Sequence, residues 1–167
     1  LTIKVNPLSL SSVKEAEKKI RDYQKTLETK TAEYLQRLTD EGLLRAVDLV
    51  PVYHGGAVNS ITGYVEGNRG IIKAGGYCAF IEFGTGVKGE SSPHPSADYM
   101  AAMKWAYNVG TTIFTTKDGR TGWFFPADDG TWKFTEGMPS RPFMYETALY
   151  LKSEYKRIAK EIFNGQG

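Results

Sequence analysis

Residues 81–90 read Ile81-Glu82-Phe83-Gly84-Thr85-Gly86-Val87-Lys88-Gly89-Glu90, and the reading of their glycines decides the fold. Gly84, Gly86 and Gly89 match G-x-G-x-x-G. After a strand and at the opening of a helix, that pattern would make an α/β dinucleotide-binding protein with a pyrophosphate on the helix N-terminus. The neighbouring residues oppose this. Ser91-Ser92-Pro93-His94-Pro95 is loop chemistry, and Tyr99 to Lys117 holds no Asp or Glu to take a ribose hydroxyl about 20 positions on. A Walker loop fails as well, because Glu90 stands where its Lys belongs. The glycines are better read as a sharp turn made beside another backbone.

Outward from this turn the chain is mixed. Tyr77 to Phe83 is an apolar run compatible with helix or strand. Ser60 to Glu66 alternates, with Ile61, Gly63 and Val65 on one side; Gly67-Asn68-Arg69-Gly70 is turn chemistry, and Ile71 to Ala74 can return as a partner. Further upstream, Val13, Ala16, Ile20, Tyr23, Leu27, Tyr34, Leu35 and Leu38 keep helical spacing. They predict a helix over about 12–39, opened by a Ser12/Glu15 capping box and braced by Glu15–Lys19, Glu17–Arg21 and Glu33–Arg37 pairs. A second, shorter helix is expected over about 40–50, before Pro51, and a short strand at Thr2–Val5.

Downstream, Glu90 to Pro95 reads as a loop, and Ser96 caps a helix to about Tyr107. Residues 111–116, 121–125 and 131–134, separated by Lys117-Asp118-Gly119-Arg120 and Asp128-Asp129-Gly130 turns, read as a β-meander. Pro142 suits the first position of a last helix, whose apolar face is Phe143, Met144, Ala148, Leu151, Tyr155, Ile158, Ala159 and Ile162, and Gly165 stops it. The expected fold is therefore α+β: one domain over 1–167, a small antiparallel sheet with a long N-terminal and a C-terminal helix. Residues 87–135 form an excursion of short helix and aromatic meander.

The 167 residues carry 21 Lys+Arg against 19 Asp+Glu, so bulk charge gives little attraction for nucleic acid or membrane surfaces. Apolar content of 41%, with 13% aromatic, is enough for a core and excludes wholesale disorder. No apolar run reaches the roughly 18 residues of a membrane span, and Leu1 to Leu10 lacks a signal-peptide layout. Cys78 is the sole cysteine, and with only His54 and His94 beside it a Cys/His zinc site cannot be assembled. Cys78 reads as a small buried hydrophobe, the two histidines as loop residues, and Asp128-Asp129 as turn chemistry. No catalytic residue, metal or cofactor is expected. Lys152, Lys156, Arg157 and Lys160 give the last helix a basic face, but Glu154 and Glu161 interrupt it, as on an ordinary solvated helix.

Trp123-Phe124-Phe125-Pro126 is the least ordinary stretch. Three consecutive aromatics in a strand point to both faces of a sheet. Either the helix carrying Tyr99, Met103 and Tyr107 covers the second face, or it is left for a partner.

Taken in order, Gly56-Ala57-Val58-Asn59-Ser60-Ile61, Ile81-Glu82-Phe83-Gly84-Thr85-Gly86, Gly122-Trp123-Phe124-Phe125-Pro126 and Gly137-Met138-Pro139-Ser140-Arg141-Pro142-Phe143-Met144 resemble the tail-completion (neck, minor tail component) proteins of long-tailed bacteriophages. The likeness is to the versions in phages and prophages of Gram-positive bacteria, and covers about residues 55–163. Gly55-Gly56-Ala57-Val58 stands where the family often has Thr-Gly-x-Leu, and residues 91–108 are longer than in compact members. The resemblance implies a non-enzymatic virion protein, assembled in the host cytoplasm, that joins head and tail. Its partners would be terminator, connector or head-closure subunits, or copies of itself in a ring. Glu82, Phe83, Gly84, Thr85, Gly86, Arg141, Pro142 and Phe143 would form the turn architecture, and Trp123, Phe124, Phe125 and Pro126 the contact. Within that motif an unpaired Glu82 would be costly in an apolar run. It is expected to pair with Arg141, or to accept amides near Ser140 at the start of the last helix. A nucleic-acid-contacting neck protein, using the basic helix, is the second reading; a tail terminator shares the same mechanism, and a hydrolase using Glu82 or Asp128 ranks last.

Overall fold

Between Leu10 and Leu49 the chain has no Pro and a single Gly, and it forms one unbroken 40-residue helix, α1 (Leu10–Leu49). The structure, a computed structural model, describes residues 2–51, 56–107, 113–127 and 129–165. The expected break near Thr39 is absent. Thr39 is buried and turns its Oγ1 back to the Leu35 carbonyl, a bond made inside a helix and not at its start. Nor does Ser12 cap α1. Ser9 does so, accepting from the Ser12 N–H at 3.4 Å, while the Ser12 hydroxyl is taken by the Asn6 N–H at 2.9 Å. Thr2–Val5 find no ladder partner and form no strand. Glu15–Lys19 and Glu17–Arg21 pair as expected. Arg37 instead reaches Glu41 and Glu161, both at 3.2 Å.

After the short α2 (Gly56–Asn59) comes a hairpin of β1 (Thr62–Glu66) and β2 (Arg69–Lys73). Glu66 faces Arg69, so the loop is the two residues Gly67-Asn68, with Gly67 at φ +57° as such a turn requires. The undecided apolar run is a helix, α3 (Cys78–Phe83), followed by α4 (Gly86–Ser91) and α5 (Ala97–Ala102). The expected loop at Glu90–Pro95 thus begins only after Ser91. Ser96 caps α5 through the Tyr99 N–H, but the helix ends at Ala102, well short of Tyr107. Lys104 takes φ +51° and the Trp105 N–H closes onto the Met100 carbonyl, which turns the chain back.

The meander forms a separate sheet of β3 (Phe114–Thr115), β4 (Thr121–Pro126) and β5 (Trp132–Thr135), in that order and antiparallel. Residues 111, 112 and 128 of that region lie outside the described residues, as does His54. The last helix is α6 (Phe143–Phe163), with Pro142 as the residue before its first turn and not within it.

The hairpin and α6 both pack on α1. They converge on Gly42, where a Cβ would fall 2.4 Å from Ile72 Cδ1 and 2.8 Å from Leu151 Cδ1. Ala46 and Val50 of α1 meet Ala57, Ile61, Cys78, Ile81 and Phe143 in the core. α6 reaches only as far as Lys30, whose Nζ bonds the Phe163 carbonyl, so the first half of α1 projects beyond it and leaves Ile20, Tyr23 and Leu27 exposed. No helix among the described residues is long and apolar enough to cross a membrane.

Candidate functional site

Glu82 lies in the last turn of α3 and is 3% exposed, which obliges every carboxylate oxygen to find a donor. It finds them on the first turn of α6. Oε2 accepts from the Met144 N–H and Oε1 from the Tyr145 N–H, each at 2.9 Å. These are amides that a helix start leaves without partners, at the end where the dipole favours an anion. The backbone repeats the clasp: Ser140 Oγ donates to the Glu82 carbonyl, and the Arg141 N–H to that of Ile81. Of the two expected arrangements the amide one is present. The Arg141 side chain is exposed and makes no ion pair among the described residues.

A third donor reaches the same carboxylate. His94 Nε2 lies 3.3 Å from Glu82 Oε1, and the imidazole is sealed among Phe83, Tyr99 and Tyr145. The Ser96 N–H points at Nδ1 at 3.0 Å, which makes Nδ1 the acceptor and places the ring hydrogen on Nε2, facing Glu82. His94 does lie in a loop, as expected, but its imidazole is buried. Its flanking prolines, Pro93 and Pro95, are the one sign in the sequence that its place is fixed. The Tyr99 phenol is pushed up from its ordinary range, first by burial and then by the Glu82 charge.

The glycine turn works against a second backbone. Thr85 and Met138 exchange N–H to carbonyl bonds in both directions, at 2.9 and 3.1 Å. Gly84 and Gly137 have φ of +77° and +93°; a Cβ on Gly84 would meet the Ser140 nitrogen at 2.6 Å, and one on Gly137 the Thr85 oxygen at 1.9 Å. A helix does open at Gly86, within the motif and ahead of the expected loop, but it comes after a helix and not a strand. Its first amides are already used: Gly86 N–H by the Tyr107 carbonyl at 2.9 Å, Lys88 N–H by that of Glu136 at 3.2 Å. The turn is plugged by the chain itself where a phosphate would sit.

The aromatic strand divides by face. Trp123 is half-buried above Gly86 and lines a cleft of about 530 Å³ with Tyr77, Phe80, Ile81, Met138 and Arg141. On the other face Phe124 opposes Phe134 and stacks on Phe114 at 5.7 Å. Phe114, Phe124 and Phe125 are 42, 48 and 40% exposed, and Trp132, which no sequence motif marks, is 68% exposed. The helix carrying Tyr99 does not account for these rings, since Tyr99 rests on Phe83 and His94, and Tyr107 bonds Met100 Sδ. Phe83 and Phe143 are fully buried and belong to the packing of the clasp.

Elsewhere, Cys78 is buried with Sγ 3.2 Å from Ser60 Oγ. Arg157 is gripped by Glu154, Glu161 and Glu41, the first two of which push its pKa further up. Lys152, Lys156 and Lys160 stand exposed, without an acidic partner among the described residues. Among the described residues no three His, Cys, Asp or Glu side chains gather as a metal site. Compared with family models, curated proteins and solved structures, the chain has no match.

Proposed function

We propose that this chain is a structural virion protein of a long-tailed phage or prophage, acting in tail completion and head–tail joining through protein–protein contacts. The observation that carries it is the uncovered aromatic face of the meander: Phe114, Phe124 and Trp132 on one face of a small sheet, with Phe125 on its other side, all exposed and Trp132 the most so. Grouped apolar surface of this kind marks a contact, because covering it lowers free energy by about 25 cal/mol per Å². The Ile81–Gly86 and Gly137–Met144 segments that carry the family resemblance fit the same role. They clasp one another and hold the cleft wall beneath the sheet. The Glu82–His94 pair is an acid–base pair by composition, but both side chains are sealed from solvent and already engaged, which suits a fastening and not a reaction centre.

Particles assembled without this chain test the role. Full heads beside finished, unattached tails are the expected result; overlong tails would make it a terminator, and normal joined virions would remove it from the neck. A second role, contact with nucleic acid through α6, is favoured by the three lysines that lack acidic partners among the described residues. Salt-dependent DNA binding lost in a Lys152/Lys156/Lys160 triple Ala variant is its expected sign.

A further inference from the structure

The cleft and the most exposed aromatic ring of the meander lie on opposite faces of one three-stranded sheet. Trp123 lines the cleft. Trp132 pairs with Pro126, three residues along β4 and therefore on the other face, beside Phe124. The chain thus carries an aromatic projection on one side and an aromatic-lined hollow on the other. Their charges are complementary. Among the described residues Arg141 is the one charged residue lining the cleft. The β4–β5 loop carries Asp128 and Asp129 in sequence against Lys133, one negative charge net, and Asp129, which lies 3.3 Å from Lys133 Nζ, is held ionised first by the Thr131 hydroxyl and amide and then by Lys133. Their sizes agree as well. A volume of about 530 Å³ lies within the roughly 300–1,000 Å³ of sites that take one compact group, and an indole with an adjacent proline is such a group.

We propose that the cleft of one copy receives the β4–β5 tip of the next, with Trp132 entering among Phe80, Trp123 and Met138 and Asp129 facing Arg141. This rests on the virion role and deepens it by naming a second copy of this chain as the partner of its aromatic sheet. The contact joins two different surfaces, so it is head-to-tail: it closes into a ring if the rotation between neighbours closes, and otherwise runs on as a filament.

Sedimentation velocity on the full chain over a wide concentration range tests it, with far-UV circular dichroism to confirm that each variant folds. The projection is removed by Trp132→Ser. The hollow is blocked by Met138→Arg, with Arg141→Glu as a second blocking variant because that side chain is exposed and makes no ion pair among the described residues. The wild-type chain is expected to associate with rising concentration, and each variant to need at least about tenfold more protein to do so. Mixing the Trp132→Ser and Met138→Arg proteins restores one intact contact, so the mixture forms two-copy species and stops there. A monomeric wild type, variants that associate like wild type, or a mixture without paired species would overturn the proposal. These outcomes are independent of the particle assay: unjoined heads and tails with unchanged self-association would leave the virion role standing and remove only this partner.

Discussion

Among the described residues the Glu82 carboxylate has three hydrogen-bond partners, and all are donors: two backbone amides of α6 and the His94 ring N–H. A Glu82→Gln substitution keeps the shape but sets an NH₂ against one of those donors. It should cost about 1–3 kcal/mol, as for a buried polar group left unsatisfied, read as a lower urea midpoint at unchanged m-value. A loss under about 0.5 kcal/mol, the range of ordinary surface changes, would mean that the clasp contributes little. Gly137→Ala should be at least as damaging, because its Cβ would overlap the Thr85 carbonyl at a positive φ, and a fully folded variant with wild-type melting would contradict the geometry. The phenols give a pH dependence of defined sign. Tyr99 and Tyr150 both titrate above the ordinary 10.0, mainly through burial, with Glu82 and Glu41 adding to it. The folded state thus holds its phenolic protons more tightly than the unfolded one. Their stabilisation is complete below about pH 10 and falls as pH rises through the folded values. Denaturation curves from pH 9 to 11 should show that decline, and Tyr99→Phe should flatten part of it.

Among the helices and strands, legibility tracks how local each cause is. The three-four spacing from Val13 to Leu38 makes a long helix readable, and alternation with Gly67-Asn68 makes the hairpin readable. The unbroken passage through Thr39 is not readable, because it depends on a side chain turning back to Leu35. Tyr77–Phe83 is too short for periodicity to choose between helix and strand. The need of Glu82 for donors at the α6 start can be inferred from burial and dipole alone. The role of His94 cannot, since Phe83, Tyr99 and Tyr145 come to it from three separate helices. In the meander, alternation gives two faces, but which rings each buries depends on Gly86 lying under Trp123. Mutation separates the half-buried ring from the exposed ones. Trp123→Ala should lose on the order of 1–3 kcal/mol of packing, whereas Phe124→Ser and Phe125→Ser should leave the melting temperature nearly unchanged. Equal destabilisation by all three would place Phe124 and Phe125 in the core.

In the assembled fold, the clasp between α3 and α6 fixes the wall on which the meander sits, and the meander holds its aromatic rings out from the body. Rigid support beneath exposed apolar surface is what an interface protein needs, since little ordering cost is then left for binding. If the proposed virion role holds, complementation of a phage or prophage strain that lacks this chain puts the interface claim to its sharpest trial. The complementing protein carries Phe124→Ser, Phe125→Ser and Trp132→Ser together, and its fold is checked by circular dichroism. Electron micrographs are predicted to show full heads and finished tails left apart despite a folded, abundant protein; joined virions at the wild-type number would contradict the claim that this aromatic sheet makes the joint.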